Sequence, residues 1–259
     1  MRIVHIGLKV GAKNTIYIPH IQKLHKSKYC DFVEIYVGMQ ASKAQARQWQ
    51  ELKVPVRLHA PHSYGGFNPA DSQGLEMKQE ALARFEIFRE LLKPDSIVFH
   101  PGIEGPLQES IRQYRLFKQQ FPQIFKLALI ENKPHLGLKQ ESCRGDTSEE
   151  IQELMRSIGF GFCLDFGHAS CYAAWAKKDW QGVIEGFMKL QPRLFHLSDG
   201  DIHSMVDHHQ HLGTGNFPLK AMLAFLPKDA YLTLETPHDH KDNLDDFPKE
   251  VDMVRSLLK

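Results

Sequence analysis

The sequence predicts one (β/α)8 TIM barrel, an α/β single domain spanning residues 1–259, and three observations lead there. Eight short β-branched or apolar runs recur along the chain, longer stretches with helical spacing separate most of them, and a histidine or an acid closes run after run. Eight parallel strands close a barrel of this class, and about 250 residues is its usual length. No composition break, low-complexity tract or Gly/Ser linker divides the chain.

The runs are Ile3–Leu8, Phe32–Val37, Val56–Ala60, Ser96–Phe99, Leu127–Ile130, Phe160–Leu164, Arg193–Leu197 and Tyr231–Leu234. Apolar residues at helical spacing mark Leu75–Leu92 and Ile111–Phe121 as helices between them. Val37-Gly38-Met39-Gln40-Ala41-Ser42 leads from the second run straight into a helix. Pro101-Gly102 stops the fourth run at once and leaves His100 at the barrel mouth. Asp146-Thr147-Ser148-Glu149-Glu150 places acids in a first helical turn, and Pro218 stands near another helix start.

Hydrophobic residues make up 42% and charged residues 24%, enough for a core of ordinary size. The net charge of +1 excludes a global basic field, so a nucleic-acid partner would rely on a local patch. Lys23, Lys26 and Lys28 are read as a solvated helix face rather than a phosphate-binding surface. Met1–Leu8 is too short and too β-like for a signal peptide, and no apolar run has membrane-spanning length. Cys30, Cys143, Cys163 and Cys171 form no CxxC pair, so a reduced, cytoplasmic protein with no membrane partner is expected.

The unusual count is fifteen histidines. His59, His100, Glu131, Asp165, His196 and Glu235 end successive runs at gaps of 41, 31, 34, 31 and 39 residues. Each gap suits one βα unit, and all strand ends of a barrel converge on one mouth. Taken singly, each residue has an ordinary explanation. A strand-end histidine can be a hydrogen-bonded structural group, Glu131 or Glu235 a salt-bridge partner, and Asp165 a helix cap. Gly167 permits a sharp turn that lets Asp165 and His168 both face the mouth. In extended chain Asp207, His209 and His211 share a side, and a solvated polar loop is the ordinary alternative.

Seven motifs, in order, resemble the endonuclease IV family of apurinic/apyrimidinic endonucleases, within the xylose-isomerase-like barrels. They are His59–His62, Phe99–Gly102, Ile130–Pro134, Cys163–Ala169, Phe195–Asp201, Val206–Asn216 and Leu234–Pro237. The resemblance implies up to three divalent ions, Zn2+ with Mn2+ as the alternative. His59 and His100 would hold the first, and Glu131 would bridge it to the second. Asp165, His196 and Glu235 would complete the second site, and His168, Asp207 and His209 the third. His209 is preferred over His208 and His211 because the following Leu212-Gly213-Thr214-Gly215-Asn216 matches the family pattern. Three departures stand out: His62 replaces a family tyrosine, the polar DNA-contacting loop after the second strand has no counterpart, and the family's N-terminal histidine position is read as Leu8.

The resemblance implies a metal-dependent hydrolase of phosphodiesters, with Glu131 central to catalysis and abasic or damaged DNA as substrate in DNA repair. Two alternatives remain open. One is an isomerase or epimerase acting on a small sugar, phosphorylated compound or keto acid, and the other is a metal-holding barrel without turnover.

Overall fold

The computed structural model describes residues 3–259, and in it eight parallel strands close a barrel in chain order. Met1 and Arg2, part of the segment read for a signal peptide, lie outside the described residues. The strands are β1 Val4–Gly11, β2 Phe32–Tyr36, β3 Val56–His59, β4 Ile97–Phe99, β5 Ala128–Glu131, β6 Gly161–Asp165, β7 Leu194–Leu197 and β8 Ala230–Leu234. Each matches a predicted run to within a residue or two except β1, which continues three residues past Leu8.

Helices follow every strand: α1 Ile18–Lys26, α2 Lys43–Trp49, α3 Leu75–Leu92, α4 Leu107–Gln120 with the short α5 Pro122–Phe125, α6 Ser148–Ile158, α7 Phe166–Ala176 with α8 Trp180–Met188, α9 Leu219–Leu223 and α10 Phe247–Leu257. Local chemistry sets their starts. Ser42 and Gln45 form a reciprocal capping box on α2, so the β2–α2 connection is only residues 37–42. The Thr147 hydroxyl accepts from the Glu150 amide at 3.2 Å and caps α6, whose acids sit at the positive end of the helix. Pro218 caps α9, which runs for only five residues.

Parallel strands bury both faces, and their outward residues (Leu8, Val10, Ile35, Leu58, Phe99, Ile130, Leu164, Leu197) join the main core beneath the helices. The inward residues form a separate small cluster of Phe32, Val98, Leu129, Cys163 and Leu194 inside the barrel. A Cβ at Gly7 would collide with the Phe32 ring, so only glycine admits that ring to the interior. Stepping two residues up from this plug leads to Glu34, His100, Glu131, Asp165 and His196, and Lys9, Tyr36, His59 and Glu235 complete the carboxyl end of the barrel around them. Lys23, Lys26 and Lys28 are exposed at the other end of the barrel, where α1 returns to β2.

Candidate metal centre

Glu131 ends β5 at the centre of the mouth and is 1% exposed. Its Oε2 lies 3.3 Å from His59 Nε2 and 2.9 Å from His100 Nε2. Its Oε1 lies 3.1 Å from His168 Nδ1 and 3.6 Å from His196 Nδ1. One carboxylate therefore touches histidines from four different βα units. All nine residues expected from the sequence reach the mouth, in overlapping groups. His59, His100 and Glu131 form one, and His168, Asp207 and His209 another. The expected middle set divides: Asp165 joins Glu131 and His168, whereas His196 and Glu235 join His59 and Glu34.

Asp165 fills two roles at once. It caps α7, with Oδ1 accepting from the His168 amide at 2.7 Å, while its Oδ2 is buried without a hydrogen-bond partner. Asn132 secures the strand end, donating to the Asp165 carbonyl at 2.9 Å and accepting from the Asp165 amide at 2.8 Å. The Asn132 carbonyl lies 2.9 Å from His168 Nδ1, which leaves His168 Nε2 facing outward.

The third group hangs on the loop between β7 and α9. Buried Asp199 organises that loop, its carboxylate accepting from the amides of Gly200, Gly213, Gly215 and Phe217 at 2.7–3.2 Å. Asp207 is buried, His208 is exposed, and His209 adopts φ +47° with its side chain 36% exposed. That left-handed turn breaks the alternation expected for Asp207, His209 and His211. His209 Nε2 lies 3.7 Å from Asp207 Oδ2, whereas His211 turns away to Glu250 and Asp239 at 2.7 and 2.9 Å.

Sequence reasoning missed four residues. Glu34, fully buried in β2, accepts from Thr233 Oγ1 at 2.8 Å and lies 3.0 Å from His196 Nε2. Its signal was an acid inside an apolar strand, which must find a partner. Lys9 Nζ is 2.7 Å from Glu235 Oε1, so the β1 residue that reaches the site is Lys9, while Leu8 packs in the outer core. Lys133 Nζ donates to His168 Nε2 at 3.1 Å. Asp199 is the fourth.

Charge is balanced internally. Burial alone would raise the Glu131 carboxyl, but the Lys133 ammonium and His100 outweigh it and hold it well below the ordinary carboxylate range. Glu235 is likewise held well below that range, with Lys9 and His196 overcoming burial. Burial, reinforced by Lys133, pushes His100 well below the usual imidazole value, so its ring is neutral and its lone pair is available. Asp165 is raised by burial and by the neighbouring Asp207, Glu131 and Glu235 carboxylates, despite His168.

The residues fit divalent metal ions. Asp165 Oδ2, Asp207 Oδ2, Glu34 Oε1 and His196 Nδ1 are buried without a hydrogen-bond partner. His196 Nδ1 lies 2.7 Å from Glu235 Oε1 yet is misaligned to donate to it. Unpaired acceptors at this depth are costly, and cations would satisfy them. A mixed imidazole and carboxylate set suits Zn2+ or Mn2+.

The pattern of the family described as "Xylose isomerase-like TIM barrel" matches residues 28–257. A "Probable endonuclease 4" of Aquifex aeolicus is 24% identical over 250 residues, covering 86% of this chain and 83% of the relative. Among solved structures, endonuclease IV from Thermus thermophilus superposes with a TM-score of 0.73 at 18% identity, over 98% of each chain. A D-tagatose 3-epimerase-like protein superposes with a TM-score of 0.68 at 19% identity, over 100% of this chain and 97% of that one. With the matched pattern running through seven of the eight strands and the ligand-type residues gathered at their ends, the chain belongs to the xylose isomerase-like TIM barrel family.

Proposed function

We propose that this protein is a zinc-dependent phosphodiester hydrolase. The name of its relatives, probable endonuclease 4, supports a nucleic-acid substrate, and the resemblance of its motifs to the endonuclease IV family implies abasic or damaged DNA. The observation that carries the reading is the group of His168, Asp207 and His209 beside the Glu131 cluster. An isomerase that polarises two adjacent oxygens makes no demand for this third group. When bound, divalent ions supply Lewis acidity toward a phosphoryl oxygen and lower the pKa of an attacking water to about 7.

The chain's own residues prepare that chemistry. Glu131 is held ionised and lies within 3.6 Å of His59, His100, His168 and His196, so it would share the first two ions between its neighbouring ligands. Glu34 orients His196 through Nε2, and the Asn132 carbonyl orients His168 through Nδ1. Lys9 steadies Glu235. Lys133, at the mouth, carries the ammonium that can hold an anionic substrate oxygen. His59, His100, Asp165 and Glu235 complete the ligand set.

The reading is tested with zinc-reconstituted protein on a duplex bearing one abasic site and on bis(p-nitrophenyl) phosphate, beside Glu131→Gln. Cleavage of either, falling at least about 100-fold in the variant, supports it. Turnover of neither contradicts it. A second reading, epimerisation of a small sugar, is favoured by the short β2–α2 connection and by the epimerase-like neighbour. Carbon-bound hydrogen exchange into a ketose, with no phosphodiester cleavage, would put it first.

A further inference from the structure

The mouth has two unlike lobes, and His62 and His209 stand between them, lining both. One lobe, of about 400 Å3, is bordered by Lys9, Glu235, His208 and His238 and is the more polar of the two. The other, of about 260 Å3, reaches from His100, His168 and Lys133 to a wall of Tyr64, Ile103, Leu136, Leu138 and Cys143. Leu136, Leu138 and Cys143 belong to the β5–α6 connection, which folds as a hairpin with Leu136 bridging Ser142, and Cys143 bridges Ile103 of the β4–α4 connection. Tyr64 closes against the hairpin, its hydroxyl occupying the space that a Cβ of Gly137 would need. Leu138 and Tyr64 remain 62% and 47% exposed, large apolar groups left uncovered beside the candidate centre.

We infer that this second lobe is a binding subsite for a compact apolar ring borne by the substrate's phosphoryl group, so the substrate class is a small aryl or alicyclic phosphoester rather than a nucleic-acid chain. The inference rests on the phosphodiester-hydrolase reading and replaces the DNA substrate named there with a small one. The lobe exceeds the roughly 150 Å3 that takes a benzene ring and falls below the roughly 300–1,000 Å3 of sites for drug-sized ligands. Its wall offers few partners for the hydroxyls of a sugar, whose burial without hydrogen bonds is unfavourable. Its polar end presents the Lys133 ammonium and the outward Nε2 of His168, where the phosphoryl oxygens would lie. The open, polar lobe on the far side of His62 then accommodates the group on the other ester oxygen.

The test compares two non-hydrolysable anions with one head group, phenylphosphonate and methylphosphonate, by calorimetric titration of the zinc-loaded protein. The ring is expected to tighten binding about tenfold, as follows from covering roughly 60 Å2 of its apolar surface. A Tyr64→Ser, Leu138→Ser double variant, which adds no charge beside the anion, should keep methylphosphonate affinity and lose the ring preference. Equal binding of the two anions by the wild type, or an undiminished preference in the double variant, overturns the inference and leaves the phosphodiesterase reading standing. Tighter binding of an abasic duplex than of phenylphosphonate does the same. Binding of neither anion, with cleavage of no phosphoester, removes both.

Discussion

Replacing Lys9 by methionine separates a structural ion pair from a ligand held ready for metal. Lys9 and Glu235 side chains are 14% and 6% exposed and 2.7 Å apart. Burial works against the Lys9 ammonium, but the Glu235, Glu34 and Glu131 carboxylates raise its pKa overall, so it is charged at every working pH. Removing one partner of a fully buried pair costs about 3–5 kcal/mol, because the other charge is left without compensation. Residual water at Lys9 reduces this to about 2–3 kcal/mol. For a chain of this size each kcal/mol moves Tm by about 2–4 °C, so metal-stripped Lys9→Met should melt about 4–12 °C below metal-stripped wild type. Zinc would take over the partnership with Glu235, and in saturating zinc the difference should shrink below about 3 °C. Scanning calorimetry on both proteins, with chelator and with zinc, gives the four values needed. An equal loss with and without zinc would refute the idea that Glu235 is a ligand, and no loss in either state would refute the buried pair.

Three further outcomes follow. Glu34→Gln removes the charge that orients His196 through Nε2, and zinc affinity measured against a chromophoric chelator should fall about 10–100-fold. Lys133→Met removes an ammonium 3.1 Å from His168 Nε2, so zinc should bind the His168–Asp207–His209 group about tenfold tighter in the same titration, while affinity for phosphonate falls. His211 is raised above the ordinary imidazole value; burial opposes the rise, and hydrogen bonds to Glu250 and Asp239 outweigh it. A raised folded-state pKa means that its stabilisation is complete below about pH 6.5 and is lost as pH rises through the folded value. The Tm difference between metal-stripped wild type and His211→Gln should therefore be larger at pH 5.5 than at pH 9, and a difference independent of pH would contradict the assignment.

The strands and the nine mouth residues were legible because a barrel turns sequence periodicity into proximity. A polar residue at the carboxyl end of an apolar run has one place to go, and His59, His100, Glu131, Asp165, His196 and Glu235 all go there. Reading stopped where contacts are made between units. Glu34 lies two residues below a strand end, and its partners His196 and Thr233 are more than 160 positions away. Lys9 escapes a reading that ends the first run at Leu8; period two along β1 sends Leu8 outward and Lys9 inward. The loop geometry was the least legible part. His209 follows no alternation because its backbone is left-handed, and Asp199 gathers four amides that no spacing rule connects. The Leu136–Ser142 hairpin, which shapes the second lobe, shows no strand-like pattern.

Phosphodiester hydrolysis at this mouth calls for three divalent ions, and zinc stoichiometry counts them. Wild type and His209→Ala should each be stripped with chelator, equilibrated with excess zinc, freed of unbound metal and measured by elemental analysis. Three zinc ions per chain in the wild type and two in the variant are expected. One or two per chain, unchanged by His209→Ala, would contradict the account and bring the epimerase reading forward.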